Sequence, residues 1–161
     1  MKKLLIFFIS VSSFACSCDE VKIRKSYKEA DLVFTGKVIN VNKTILKHKF
    51  VSKGKEQFFE SEKHVYTFEI KTIFKGKIVL QNIEISTDPD EAACGFRFEK
   101  EKTYLVYSYL TDLEVNSELV GDNKVRPFYT THLCSRTTTI SLVKEKEFRK
   151  LGRFKRRYHK I

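Results

Sequence analysis

Four cysteines are the residues of this chain best placed to do chemistry: Cys16, Cys18, Cys94 and Cys134. In an oxidising compartment an even count predicts two disulfides. Cys16 and Cys18 stand one residue apart, and in extended chain they point to the same side. A bridge between them would strain the bond, so each is expected to reach a distant partner. Two schemes remain: Cys16–Cys94 with Cys18–Cys134, or Cys16–Cys134 with Cys18–Cys94. The other reactive types form no constellation. His48, His64, His132 and His159 show no pair at metal-ligand spacing. There is no G-x-S-x-G, H-E-x-x-H, P-loop or Gly-rich dinucleotide turn. Asp88 and Asp90, like Glu99 and Glu101, fall in predicted turns where solvation is their simplest role. Bridged cysteines make poor nucleophiles. The chain is therefore not read as an enzyme, and no cofactor is expected.

What the cysteines can do depends on where the mature chain starts. Lys2 and Lys3 precede an apolar stretch, Leu4 to Phe14, and Ser13-Phe14-Ala15 puts small residues at the two positions a signal peptidase reads. That stretch is shorter than the roughly 20 residues needed to cross a bilayer. Residues 1–15 are accordingly read as a signal peptide, and the protein as secreted, extracellular or periplasmic. Cleavage after Ala15 would leave Cys16 as the first residue, with a free α-amino group. The competing reading is a lipoprotein acylated at Cys16. Ser13 and bulky Phe14 depart from the usual lipidation motif, and acylation would leave an odd number of thiols.

The elements that must position these residues are mostly strands. Ser26-Tyr27-Lys28-Glu29 has the form of a capping box and predicts the start of a short helix. Asp31 to Val41 is β-branched and aromatic and predicts a strand. Asn42 to Lys63 predicts a long solvated hairpin turning at Ser52-Lys53-Gly54-Lys55. His64 to Phe74 alternates, with Tyr66, Phe68 and Ile70 on one face. Further strands are expected over Ile78 to Thr87, Phe96 to Phe98 and Thr103 to Leu110. A loop with Gly121-Asp122-Asn123 then precedes Val125 to Cys134. Short strands bounded by turn residues predict an all-β barrel or sandwich. Ser141 to Leu151 predicts a helix stopped by Gly152.

A Cys-x-Cys directly after a signal sequence, on a small β domain, resembles the N-terminal, netrin-like domain of the tissue inhibitors of metalloproteinases. The residues that carry the resemblance are Cys16-Ser17-Cys18, Ala30-Asp31-Leu32-Val33-Phe34-Thr35-Gly36-Lys37-Val38, Cys94-Gly95 and Cys134. The chain looks like a minimal bacterial relative. The resemblance implies a five-stranded Greek-key OB-fold barrel with a short N-terminal helix and a C-terminal helix, over residues 16–143. It implies the pairing Cys16–Cys94 with Cys18–Cys134. It also implies that the α-amine and carbonyl of Cys16 chelate the catalytic zinc of a target metalloprotease, with Ser17 entering the pocket beside it. Cys18 and the ridge Glu91, Ala92 and Ala93 would add protease contacts, and the Asn42–Lys63 hairpin would be a variable contact loop. Two departures stand out: four cysteines leave no third bridge, and Asp19-Glu20-Val21-Lys22 replaces the His-Pro segment of the animal proteins. The alternative on the same fold is a non-inhibitory cell-envelope binding or adhesion module, lipid-anchored at Cys16.

Charge sharpens the list of partners. The chain has 161 residues and a formal net charge of +11, which invites a nucleic-acid or anionic-membrane reading. Residues 144–161 hold nine Lys or Arg against two Glu. Lys2 and Lys3 leave with the signal, so residues 16–143 are close to neutral. The surplus is a property of the basic C-terminal helix or tail, where Leu151, Phe154 and Tyr158 suggest an amphipathic helix suited to an anionic surface. Export argues against a nucleic-acid partner, and a monomer is expected.

Overall fold

The computed structural model describes residues 16–89, 94–111 and 128–158. The predicted signal peptide, the ridge Glu91, Ala92 and Ala93, the Gly121-Asp122-Asn123 loop and His159 lie outside the described residues. The elements run in the order α1 (Ile23–Glu29), β1 (Leu32–Ser52), β2 (Lys55–Lys75), β3 (Asn82–Thr87), β4 (Thr103–Thr111), β5 (Phe128–Thr130), β6 (Thr138–Thr139), a 3-10 turn (Ile140–Leu142) and α2 (Glu145–Tyr158).

The protein is mostly β. Its single sheet has the order β1-β2-β3-β5-β4-β6, and β1 also pairs with β4. Five strands thus close into a ring, with β6 added outside it on β4. All ladders are antiparallel except β3 with β5. Beyond Val41, where its ladder to β4 has already ended, β1 continues with β2 alone as a two-stranded ribbon to a turn at Lys53 and Gly54. The predicted hairpin is therefore the far half of two 21-residue strands.

Alternation along the strands sorts the apolar residues to two sides. Leu32, Phe34, Val38, Tyr66, Phe68, Ile85, Phe98, Tyr104 and Val106 form one buried cluster. Phe68 meets Phe34, Phe98 and Tyr104 edge-on, with centroids 5.5, 5.0 and 6.5 Å apart. Such pairs add about 0.5–1.5 kcal/mol each beyond their burial. The intervening positions Val33, Leu105 and Tyr107 join Tyr27 and Ala30 of the α1 region and Leu151 of α2 in a second cluster. The helices therefore cover the opposite face of β1 and β4, which explains why TYLVYSYL is apolar at nearly every position.

Four local expectations are corrected. The helix α1 begins at Ile23, capped by Lys22, and Ser26 lies inside it with its hydroxyl donating to the Lys22 carbonyl at 3.4 Å. Burial of Tyr27 and Ala30, with Ile23 packed beside them, fixes an earlier start than the Ser-x-x-Glu pattern. The third strand begins at Asn82, and Val79 and Leu80 stand exposed before it. Phe96 to Phe98 is irregular backbone: the Phe96 N–H donates to the Thr87 hydroxyl at 2.7 Å and the Glu99 N–H to Tyr104 Oη at 2.9 Å. Side-chain acceptors there replace a ladder. Finally, Ser141 belongs to the 3-10 turn, and α2 runs through Gly152 to Tyr158. A glycine stop requires a left-handed backbone, which Gly152 lacks. Phe154 and Tyr158 carry the apolar stripe onward onto Tyr27, at centroid distances of 5.0 and 5.9 Å.

Candidate functional site

Residues 16–22 have no regular structure of their own and are held entirely by partners. Cys16 is bridged to Cys94 and Cys18 to Cys134, with Cα separations of 5.4 and 5.0 Å. Of the two schemes open from spacing, the structure takes the one the family resemblance implied. The two receiving loops are joined to each other, since the Leu133 N–H donates to the Cys94 carbonyl at 2.8 Å. The Thr131 N–H, donating to the Ser86 carbonyl at 3.0 Å, ties the second loop to the end of β3. Cys94 sits in the left-handed region, at φ 63°, where a residue with a Cβ is strained. The bridge and the hydrogen bond at its carbonyl hold it there.

Within this segment Cys16 is half-buried and Ser17 and Cys18 are exposed. Neither the N–H nor the carbonyl of Cys16 is engaged by a hydrogen bond among the described residues. Cys134 Sγ lies 4.0 Å from the Ser17 carbonyl, so that peptide is flanked by both bridges.

A third anchor lies at the end of the segment. Arg136 Nη1 donates to the Val21 carbonyl at 2.6 Å. The same guanidinium grips Glu147 of α2 with two hydrogen bonds, Nε to Oε1 and Nη2 to Oε2, both 2.8 Å. Tyr107 Oη adds a bond of 2.9 Å to Glu147 Oε1. Glu147 is 5% exposed and Tyr107 fully buried. Burial, reinforced by the Glu147 charge, pushes the Tyr107 hydroxyl well above its ordinary pKa. The hydrogen bond to Glu147 holds the Arg136 guanidinium protonated more firmly still. On either side of Arg136 in the chain, Ser135 and Thr137 join Thr131 in a buried hydroxyl cluster whose members bond to one another and to the Tyr107 backbone.

Lys63 pairs with Asp88, and His132 stacks on Tyr109 with centroids 5.5 Å apart. Burial lowers the His132 pKa, against the opposing pull of Asp88. Among the described residues no three His, Cys, Asp or Glu side chains converge to hold a metal ion. No described helix is long and apolar enough to cross a membrane.

Cys16, Ser17 and Cys18 thus come together with Cys94 and Cys134, whereas the anchor formed by Arg136, Glu147 and Tyr107 carries no sequence signal. Arg136 is one basic residue among 31, and Glu147 reads as an ordinary solvated position of a charged helix. The family model described as tissue inhibitor of metalloproteinase matches residues 14–138. No curated protein matches the chain.

Proposed function

The chain belongs to the tissue inhibitor of metalloproteinase family, a family of inhibitors rather than enzymes, and from that premise we propose that it blocks a zinc metalloprotease with its own Cys16. Cleavage after Ala15 supplies a free α-amine at Cys16. The amine nitrogen and carbonyl oxygen of one residue are a ready-made bidentate pair for a zinc that keeps an open position for water. Occupying that position removes the water that would attack a peptide bond. Ser17 enters the pocket beside the zinc, and Glu91, Ala92 and Ala93 line the contact next to Cys94. The order β1-β2-β3-β5-β4, closed by β1 on β4 with β3 parallel to β5, supports reading the ring as a Greek-key OB-fold.

The observation that carries the reading is the triple anchoring of residues 16–21, by two bridges and by Arg136. A short ligand held rigid before docking loses little conformational entropy on binding, roughly 0.5–1.5 kcal/mol less per side chain already ordered. The bridges also match an oxidising compartment and a secreted protein.

The test is a variant with one extra alanine before Cys16. It acylates the α-amine as a peptide bond and leaves both bridges intact. Inhibition of a metalloprotease panel should fall by at least about 100-fold, with unchanged thermal unfolding. Equal inhibition by the extended protein would remove chelation from the mechanism. Intact mass of the native N-terminus should show an unmodified Cys16, and a lipid adduct there would replace inhibition with the anchored-module reading.

A further inference from the structure

The outer face of α2 has no role in the fold or in the anchoring of the N-terminal segment. At 3.6 residues per turn, Glu147, Leu151, Phe154 and Tyr158 occupy an arc of about 60°, and this face packs on the core and on Tyr27. Lys146, Arg149, Arg153, Arg156 and Arg157 fall in a separate arc of about 100°, and all five are exposed. They form one stripe about 16 Å long, with axial steps of about 4.5, 6, 4.5 and 1.5 Å between successive cations, the last two being the neighbours Arg156 and Arg157. Among the described residues only Arg149 has an acidic partner, Glu145 at 3.6 Å, and that pair is largely solvated. Arg153, Arg156 and Arg157 line a shallow depression with one edge on Phe154.

We propose that this stripe is a binding site for a linear acidic polysaccharide, one carrying carboxylate or sulfate groups along its length. Four of the five cations are arginines, whose planar fork suits two-point contact with oxyanions. Cations spread along one helix face, ending in the pair Arg156 and Arg157, match an extended chain that carries charges along its length. A bilayer is the poorer fit, because an interfacial helix must offer a free apolar face and here that face is spent on Leu151 and Phe154 packing. Nucleic acid is also disfavoured: Phe154, the aromatic at the edge of the depression, is committed to packing on Tyr27 rather than free to stack a base, and the two bridges belong to an oxidising compartment. The site would hold the protein on an extracellular polymer through a face of α2 separate from Glu147, the residue that reaches the N-terminal segment through Arg136.

The test uses the full disulfide-bonded protein, with dextran sulfate and polygalacturonate as probes in titration calorimetry. Affinity should fall linearly in log–log form with salt, as counterion release requires. Each cation near an anionic surface is worth about fivefold, so Arg153→Gln, Arg156→Gln and Arg157→Gln together should weaken binding about 100-fold and flatten the salt slope by more than half. Circular dichroism and thermal unfolding of the triple variant should match the unaltered protein. A control of equal charge change on other exposed lysines, Lys53→Gln, Lys77→Gln and Lys100→Gln, should stay within about threefold. Equal losses in the two variants would mean bulk attraction and overturn the site. Tighter binding to phosphatidylglycerol vesicles or to single-stranded DNA than to either polysaccharide would overturn the ligand class.

Discussion

Replacing Arg136 by methionine tests whether the Arg136–Glu147 pair holds the N-terminal segment to the fold. The substitution keeps most of the side-chain volume and removes the three hydrogen bonds that the guanidinium donates, two to Glu147 and one to the Val21 carbonyl. Glu147 is left as a carboxylate, 5% exposed, with Tyr107 Oη as its one side-chain donor among the described residues. Removing one partner of a buried pair typically costs about 3–5 kcal/mol. The Arg136 side chain is 26% exposed, so water reaches part of the vacated space and the expected loss is nearer 2–3 kcal/mol. Against a total stability of about 5–15 kcal/mol for a small domain, that is a large fraction.

The informative companion is Arg136→Met with Glu147→Gln. The amide oxygen can still accept from Tyr107, and no charge is left buried. The double variant should recover to within about 1 kcal/mol of the unaltered protein. The protein has no tryptophan, so urea unfolding should be followed by far-UV circular dichroism. A loss below about 0.5 kcal/mol for Arg136→Met, or a double variant no better than the single, would refute the ion-pair reasoning. The double variant also separates stability from positioning, because the hydrogen bond to the Val21 carbonyl stays lost. Amide exchange over residues 17–22 should therefore remain faster than in the unaltered protein, and inhibition weaker, even where global stability has returned.

Three further outcomes follow from local geometry. In Gly36→Ala the new Cβ would stand 2.8 Å from Phe34 Cε2 and 3.0 Å from the Glu69 carbonyl oxygen, so the urea midpoint should drop by the equivalent of about 1–3 kcal/mol. Cys18→Ser with Cys134→Ser opens a loop of sequence separation 116, worth up to about 4–5 kcal/mol on the loop-entropy view, and should cut inhibition even at temperatures where the sheet stays folded. His132 has a folded pKa held below its unfolded value by burial. The unfolded chain therefore binds the proton more readily, and this contribution is intact above the unfolded value of about 6.5 and is lost as pH falls through it. Urea midpoints measured between pH 7.5 and 5.5 should decline, and the decline should be shallower in His132→Gln.

The strands were legible because alternation is a local signal that packing reinforces. Tyr66 and Phe68 do share one buried face with Ile70 packed against it. TYLVYSYL departs from alternation because the closed ring lies on one side of β4 and the helices on the other. Composition shows the apolar run but not the second layer that causes it. Ser26 and Gly152 misled for a related reason. Capping and stop signals are each worth about 1 kcal/mol, and tertiary burial of Tyr27, Ala30 and Leu151 outweighs them. Of the candidate site, Cys16, Ser17 and Cys18 are legible through their place after a predicted cleavage signal. Arg136 and Glu147 are not, because nothing short-range marks a pair that meets only when α2 folds back over the sheet.

That folding back gives α2 two faces with separate duties. Glu147 reaches Arg136, and through it the Val21 carbonyl, so the helix helps to hold the N-terminal segment in place. The arginine stripe lies roughly 120° around the same helix from Glu147. A polymer bound along the stripe therefore has no need to displace the Arg136–Glu147 pair, and its addition should leave the proposed inhibition unchanged. Removing the three stripe arginines should likewise leave inhibition untouched, whereas removing Glu147 should weaken it without altering polysaccharide affinity. If stripe and anchor variants each impaired both activities, the two faces would not be independent, and the helix would act as a single coupled element.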